Sequence, residues 1–169
     1  MTVLEIDLKA LEHNYRYLRS KISPHTKFMA VVKAFAYGSE AVSIATKLEH
    51  PGVDFFAVAY LKEGIALRKG GVRKPILVLH PQSPNLDDLF AYKLTPNIYS
   101  HSILDAFIAK SKKQKNYPIH LKFNTGLNRL GFLESDIDKI LSKINEEKIQ
   151  VEGIFSHLAA SEDLKERSF

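Results

Sequence analysis

The chain has 169 residues, of which 24 are Lys or Arg and 19 are Asp or Glu, so its formal charge is +5 with histidine neutral. The length suits one domain over residues 1–169. An apolar fraction of 45% and a charged fraction of 25% exclude disordered and collagen-like chains. The absence of cysteine excludes disulfides, thiolate metal sites and cysteine nucleophiles.

The N-terminal residues place charges where a signal peptide needs an apolar stretch, and no run of about 18 apolar residues occurs. We therefore expect a soluble, cytoplasmic protein that does not bind membranes. The densest basic segment, residues 110–115, lacks interleaved aromatic residues. We interpret it as a solvated connection rather than a nucleic-acid site, although weak attraction of phosphate-bearing small molecules stays open.

Amphipathic helices and apolar runs alternate along the chain. The helical patterns are a stripe from Leu8 to Ile22 behind Asp7, a repeat at 41, 44, 45 and 48 behind Ser39, a start at Ser83 and Pro84, and a repeat at 137, 140, 141 and 144 behind Ser135. The apolar runs predict buried parallel strands over 28–33, 55–59, 76–79, 94–99, 119–123 and 151–155.

This repeating βα pattern fits two architectures, an open doubly wound sheet or a βα barrel. A full barrel has eight βα units in about 250 residues. Six units in 169 residues would make an α/β fold of the TIM type that is partial, with about six of eight βα units.

Lys33 ends the first apolar run, which is an unusual place for a lysine. Strand ends of this kind carry the active site in a βα barrel, and desolvation there favours a neutral amine that can attack a carbonyl. The alternative is a lysine that extends to the solvated rim. Tyr37 and Gly38 follow within a turn, and the phenol can donate to a phosphate, although such a tyrosine alone is more often a core or rim aromatic.

Two further candidates lie on the fifth run and in the loop after it. Lys122 alternates with Leu121 and Phe123 and is expected to point inward, where a lysine needs a neutralising change or an acidic partner. Arg129 lies in a loop that contains two glycines and suits an anionic oxygen; a surface salt bridge is its alternative. His157 follows the sixth run and is either a base or a structural hydrogen-bonding group. Functional groups after several strands favour one barrel mouth.

Three segments together resemble the bacterial alanine racemase family. They are V-V-K-A-F-A-Y-G at 31–38, L-K-F-N-T-G-L-N-R-L-G at 121–131 and F-S-H-L-A-A-S-E-D at 155–163. The opening, E-I-D-L-K-A-L-E-H-N at 5–14, also looks like that family's first strand and helix, so the resemblance covers essentially the whole chain.

The resemblance implies a pyridoxal 5'-phosphate-dependent racemase that interconverts L- and D-alanine for peptidoglycan. In that family the cofactor is bound covalently to the residue matching Lys33, Tyr37 reaches its phosphate, His157 lies beside its ring, and Arg129 lies near its phenolic oxygen and the substrate carboxylate. Lys122 matches a lysine that is often carbamylated, which holds the arginine in place. Lys33 and Arg129 would be the catalytic residues. A tyrosine from the partner subunit of a homodimer supplies the second base.

Some positions depart from the family pattern. Phe35 stands where asparagine is common, Ser39 where histidine is common, and Asn124 where aspartate is usual, which affects fine substrate preference. The last two barrel strands and the β-domain of the family lie beyond Phe169. We therefore expect this chain to be the N-terminal portion of a longer polypeptide and to be inactive alone. The alternatives are a non-catalytic pyridoxal-phosphate-binding barrel protein and a related decarboxylase or D-amino-acid dehydratase.

Overall fold

The computed structural model describes residues 2–112, 114 and 116–160. Within this part of the chain, short strands alternate with helices, and the strand order follows the chain. All six predicted strands are confirmed. They are Met29–Val31 (β1), Phe55–Val58 (β2), Ile76–Val78 (β3), Thr95–Ile98 (β4), Pro118–Lys122 (β5) and Gln150–Phe155 (β6). The helices are Leu8–Arg19 (α1), Lys33–Gly38 (α2), Ala41–Glu49 (α3), Leu61–Lys69 (α4), Leu86–Ala91 (α5), His101–Ser111 (α6) and Ile137–Glu146 (α7).

The chain divides into two compact units. The first unit comprises Met1–Leu79 and Tyr92–Leu94, and the second comprises His80–Ala91 and Thr95–Phe169. In the first unit β1 pairs in parallel with β2, and β2 with β3. The strands contribute much of its core. The side chains of β3 and most of those of β2 are fully buried, as expected for parallel strands covered on both faces.

In the second unit β5 pairs in parallel with both β4 and β6. The alternation of β5 separates its faces, because the buried residues Ile119 and Leu121 share one face while His120 and Lys122 share the opposite one. Helices α6 and α7 also bury apolar side chains, among them Phe107 and Ile140.

The predicted helices form, but two of their predicted caps are wrong. The cap of α3 is Glu40 rather than Ser39, because the Glu40 carboxylate accepts from the N–H groups of Val42 and Ser43 at 3.0 and 2.7 Å. Ser135 does not cap α7, because Ser135 lies inside a 3₁₀ turn over 134–136 that precedes the helix. The Asp7 cap of α1 is confirmed.

The expected first strand near Glu5 is wrong. Residues 2–7 form no strand pairing among the described residues, and Val3 and Leu4 are 61% and 72% exposed. Three helical segments among the described residues, α2, α4 and α6, come in addition to those predicted. Among the described residues, none of the helices has the length and apolar character to cross a membrane.

Candidate functional site

Lys33 lies two positions past the end of β1, at the end of the predicted apolar run. The strand pairing continues one residue past β1, since the N–H of Val32 donates to the carbonyl of Ala57 at 2.9 Å. Val32 is buried and Lys33 is half-buried. The lysine therefore begins where the sheet ends, at the carboxyl edge of the first unit.

The short segment α2, which begins at Lys33, is a left-handed helical turn. Four successive residues, Ala34, Phe35, Ala36 and Tyr37, have φ between 51° and 57°. The turn is closed by a 3.1 Å bond from the N–H of Ala36 to the carbonyl of Val32. Each such residue costs roughly 1–2 kcal/mol relative to a right-handed conformation, so the surrounding structure must hold this turn in place.

The turn directs its aromatic side chains outward. Phe35 and Tyr37 are 59% and 68% exposed, while Ala36 is buried. Gly38 ends the turn at φ 90°. The Tyr37 hydroxyl is therefore accessible in the same turn as Lys33. This exposure fits a tyrosine that binds a phosphate better than one that packs in the core.

A carboxylate that the sequence did not single out anchors this turn. Glu63, at the start of α4, accepts from the N–H of Ala34 at 2.6 Å with one oxygen. Its second oxygen accepts from the N–H groups of Ala59 and Tyr60 at 2.7 and 2.9 Å. Glu63 therefore ties the turn after β1 to the carboxyl end of β2. The one available signal was an acidic residue in the first turn of a helix.

In the second unit, Lys122 is buried, as expected for an inward position on β5. It is 7% exposed, and its amine lies 6.0 Å from the ring centroid of Phe155 on the neighbouring strand. His120 shares this face; burial lowers the pKa of its imidazole, and Glu152, whose carboxylate lies 3.8 Å away, partly opposes that shift. This face of β5 is thus a desolvated environment for a lysine.

Arg129 lies in the loop that follows β5, and it is exposed. The base of the loop is closed by two backbone bonds of 2.9 Å, from the N–H of Phe132 to the carbonyl of Lys122 and from the N–H of Asn124 to the carbonyl of Phe132. Gly131, at φ 127°, allows this approach, because a Cβ there would lie 2.6 Å from the Asn124 nitrogen. The loop therefore returns to its starting strand and presents Arg129 to solvent at the carboxyl end of β5.

The interior of this loop is organised by two asparagines. The Asn124 side-chain oxygen accepts from the N–H groups of Asn128 and Gly126 at 2.9 and 3.3 Å. Its amide nitrogen donates to the Asn128 side-chain oxygen at 2.7 Å. Asn128 has φ 55°, a conformation that asparagine tolerates better than most residues. The pair fixes the backbone directly before Arg129.

His157 follows β6 and is exposed, at the predicted end of that strand. Its neighbour Ser156 links β6 to the Arg129 loop: the Ser156 hydroxyl donates to the carbonyl of Phe123 at 2.9 Å, which leaves the Thr125 hydroxyl to donate to Ser156 at 2.5 Å. Ser156 was not predicted, and a single hydroxyl in the sequence gives no signal for this role. The rest of the quoted motif, residues 161–163, lies outside the described residues.

The five predicted residues thus fall into two groups, Lys33 and Tyr37 in the first unit, and Lys122, Arg129 and His157 in the second. Each lies at or just beyond the carboxyl end of a parallel strand, except that Arg129 reaches that edge through the loop after β5. Parallel strands in chain order, with polar groups at their carboxyl ends, are the arrangement of the βα-barrel enzymes. The particular family follows from comparison with known proteins.

The family model of the alanine racemase N-terminal domain matches residues 6–169, and the chain belongs to that family. An amino-acid racemase of Enterococcus faecalis is 41% identical over 165 residues, which are 97% of this chain and 23% of that protein. An alanine racemase of Geobacter sp. (strain M21) is 37% identical over 168 residues, 96% of this chain and 44% of that protein. The chain thus spans less than half the length of these relatives.

Solved structures of alanine racemases also match this chain. Alanine racemase of Clostridium difficile 630 superimposes with a TM-score of 0.89 at 32% identity, covering 96% of this chain and 45% of that one. An alanine racemase from D-cycloserine-producing Streptomyces lavendulae gives a TM-score of 0.88 at 28% identity. The predicted fold class, the partial TIM-type βα barrel of the alanine-racemase family, is confirmed.

Proposed function

We propose that this chain is the N-terminal part of a pyridoxal-phosphate-dependent amino-acid racemase that interconverts L- and D-alanine, a cytoplasmic activity serving peptidoglycan synthesis. The observation that carries the proposal is the half-buried lysine at the start of a strained turn, in a chain that belongs to the alanine racemase N-terminal family. Strain of about 1–2 kcal/mol per residue at one point of a fold is typical of functional turns.

The first unit fits the aldehyde and phosphate of pyridoxal phosphate. Lys33 is half-buried just past a strand end, and its primary amine is the group that condenses with an aldehyde. Tyr37 offers an exposed hydroxyl in the same turn. An added Cβ at Gly38 would meet no atom within 4 Å, so the backbone there is open to a ligand. Lys33 would therefore hold the cofactor and Tyr37 its phosphate.

The second unit fits the anionic groups. The exposed guanidinium of Arg129 suits the phenolic oxygen of the cofactor and the substrate carboxylate, and His157 would lie beside the pyridine ring. Lys122 is buried on the inner face of β5, where carbamylation would replace a cation with an anion that pairs with a guanidinium. A mass measurement of the full-length polypeptide under mild conditions should show the added mass of one carbon dioxide, as a carbamate, and an atomic-resolution map with a bare ammonium would rule it out.

The reaction needs a base on each face of the substrate. The cofactor, when bound, supplies an electron sink for the pair left at Cα after proton removal. The amine of Lys33 would remove or return the proton on one face, and a tyrosine of the partner subunit in a homodimer would act on the other. Arg129 would orient the substrate carboxylate. Because the chain spans about 44% of the alanine racemases it matches, we propose that it does not racemise alanine by itself.

The direct test is D-alanine formation from L-alanine by the full-length polypeptide, with and without added pyridoxal phosphate. Cofactor-dependent formation from either enantiomer, with exchange of the Cα proton for solvent deuterium, supports the racemase. Cofactor binding without exchange indicates a non-catalytic binding protein. Loss of carbon dioxide from an amino acid indicates a decarboxylase, and release of ammonia from a β-hydroxy amino acid such as D-serine, tested in parallel, indicates a dehydratase.

Serine is a second candidate substrate. A serine/alanine racemase of Enterococcus gallinarum is 43% identical over 163 residues, which are 96% of this chain and 23% of that protein. Comparing kcat/KM for L-serine and L-alanine in the same assay decides between a dedicated alanine racemase and one that accepts both.

A further inference from the structure

The Glu63 carboxylate spans two pieces of backbone that are distant in sequence. Two of its three bonds, to the N–H groups of Ala59 and Tyr60, lie at the start of its own helix and need no further explanation. The third, to the N–H of Ala34, crosses 29 positions of sequence and is the shortest of the three at 2.6 Å.

The N–H of Ala34 belongs to the peptide group that follows Lys33. Fixing that group sets the ψ angle of Lys33, and with it the direction in which the lysine side chain leaves the backbone. The first N–H groups of a helical turn have no partner within the turn. A carboxylate with both oxygens occupied is a rigid acceptor for one of them, and bonds to a charged acceptor are stronger than neutral ones.

We propose that Glu63 is a positioning residue for the Lys33 amine: it holds the peptide group between Lys33 and Ala34 so that the amine is presented to the aldehyde of the cofactor. The proposal rests on the proposed function, which makes Lys33 the cofactor lysine. Glu63 itself would touch neither substrate nor cofactor.

The chain supplies a matched control in Glu49. One oxygen of that carboxylate accepts from the N–H groups of Arg73 and Lys74, both at 2.7 Å and both distant in sequence. These bonds fix the segment before β3, at the amino end of a strand. Glu49→Gln therefore removes the same charge from a carboxylate that also accepts from distant backbone in the same unit, away from Lys33, and its remaining amide oxygen can keep both bonds.

The experiment compares Glu63→Gln and Glu49→Gln in the full-length polypeptide. In Glu63→Gln the amide keeps one oxygen for the start of α4 and turns a donor toward the N–H of Ala34. Without cofactor, we expect amide exchange in residues 33–38 to be at least about tenfold faster, the effect of losing a bond to a charged acceptor. The affinity for pyridoxal phosphate, measured as adduct fixed on Lys33 by borohydride, should fall by about tenfold or more.

Pyridoxamine phosphate separates positioning from general damage, because it has the ring and phosphate of the cofactor but no aldehyde. Its affinity for Glu63→Gln should stay within about threefold of wild type, and Glu49→Gln should match wild type in all three measurements. Equal losses for both cofactor forms, unchanged exchange in residues 33–38, or the same losses in Glu49→Gln would each overturn the proposal.

If Glu63→Gln does not fold by circular dichroism, Glu63→Asp takes its place, since the shorter side chain cannot span to Ala34 while still capping α4. The adduct measurement on the wild-type protein shows separately whether the proposed function is wrong. In that case wild-type protein gives no adduct on Lys33, whereas the exchange measurement still shows whether Glu63 anchors the turn.

Discussion

The turn after β1 and the loop after β5 both place backbone in the left-handed region, but different residues occupy it. In the Lys33 turn the four positions are two alanines and two aromatic residues, none of which favours positive φ. In the Arg129 loop the corresponding positions are Gly126, Asn128 and Gly131, residues that adopt it at low cost. The backbone of the loop is therefore little strained, and hydrogen bonds of its own asparagines, Asn124 and Asn128, stabilise its conformation.

The difference shows two ways of holding a functional group at a strand end. The Lys33 turn is strained and depends on an anchor from another element, the Glu63 carboxylate. The Arg129 loop depends on local composition, on Asn124 inside it and on Gly131 at its base. Substitutions in the first should change chemistry, and substitutions in the second should change stability and local order.

The largest effect is expected for Lys33→Ala in the full-length polypeptide. Loss of the amine that binds the cofactor and moves the Cα proton should lower kcat/KM for L-alanine by at least about 10³-fold. The control is Lys47→Ala, which removes a lysine paired with Glu12 on α1 and should leave the rate within about twofold. D-alanine formation measures both. A rate for Lys33→Ala within tenfold of wild type would remove Lys33 from the mechanism.

The next effect concerns the base of the Arg129 loop. Gly131→Ala should lower the free energy of unfolding by about 2–5 kcal/mol, because the new Cβ meets backbone and the residue is strained. Gly71→Ala, at φ 93° with nothing within 4 Å, carries the conformational cost alone, about 1 kcal/mol. Urea unfolding compares the two. Equal costs would mean that close approach at Gly131 is unimportant.

Asn124→Ala should be milder and local. It removes the acceptor of the Gly126 and Asn128 N–H groups, so we expect those amides to exchange faster and the free energy of unfolding to fall by about 1 kcal/mol. Asn124→Asp keeps an acceptor oxygen and should preserve most of the protection. Amide exchange by mass spectrometry measures both. Full protection in Asn124→Ala would show that the loop is held by other contacts.

The smallest effect is a pH dependence at β5. Burial lowers the pKa of His120 below its ordinary 6.5, so the unfolded chain takes up that proton first as the pH falls. Stability should therefore decrease from about pH 6.5 downward through the folded pKa. His120→Phe, which keeps a ring over Gly153, should flatten this part of the profile, whereas His13→Phe on the exposed side of α1 should not. Identical slopes in all three proteins would contradict the assignment.

The sequence predicted the strands well because each is a short apolar run bounded by polar residues, and helix formation at α3 and α7 because the apolar repeat is regular. Helix α4 escaped prediction because Gly64 interrupts its apolar stripe. A Cβ there would lie 3.0 Å from a methyl group of Leu94, so any larger residue needs that side chain to shift. The cap at Glu40 was missed because it depends on a residue at φ 66°.

The candidate residues were placed correctly at strand ends because the end of an apolar run is visible in sequence. The contacts that hold them were not predictable. Glu63 reaches Ala34 and Ser156 reaches Phe123 only after separate strands pair, and no local pattern encodes those distances. The left-handed turn was also hidden, because alanine and phenylalanine give no sign of positive φ.

The most direct measurement of the central claim is peptide mapping of the full-length polypeptide after incubation with pyridoxal phosphate and reduction with borohydride. We predict one reduced pyridoxyl group, on the peptide that contains Lys33, and its loss in Lys33→Ala. A pyridoxyl group that maps instead to another lysine, such as Lys122, would contradict the assignment of the strained turn after β1 as the cofactor-binding turn.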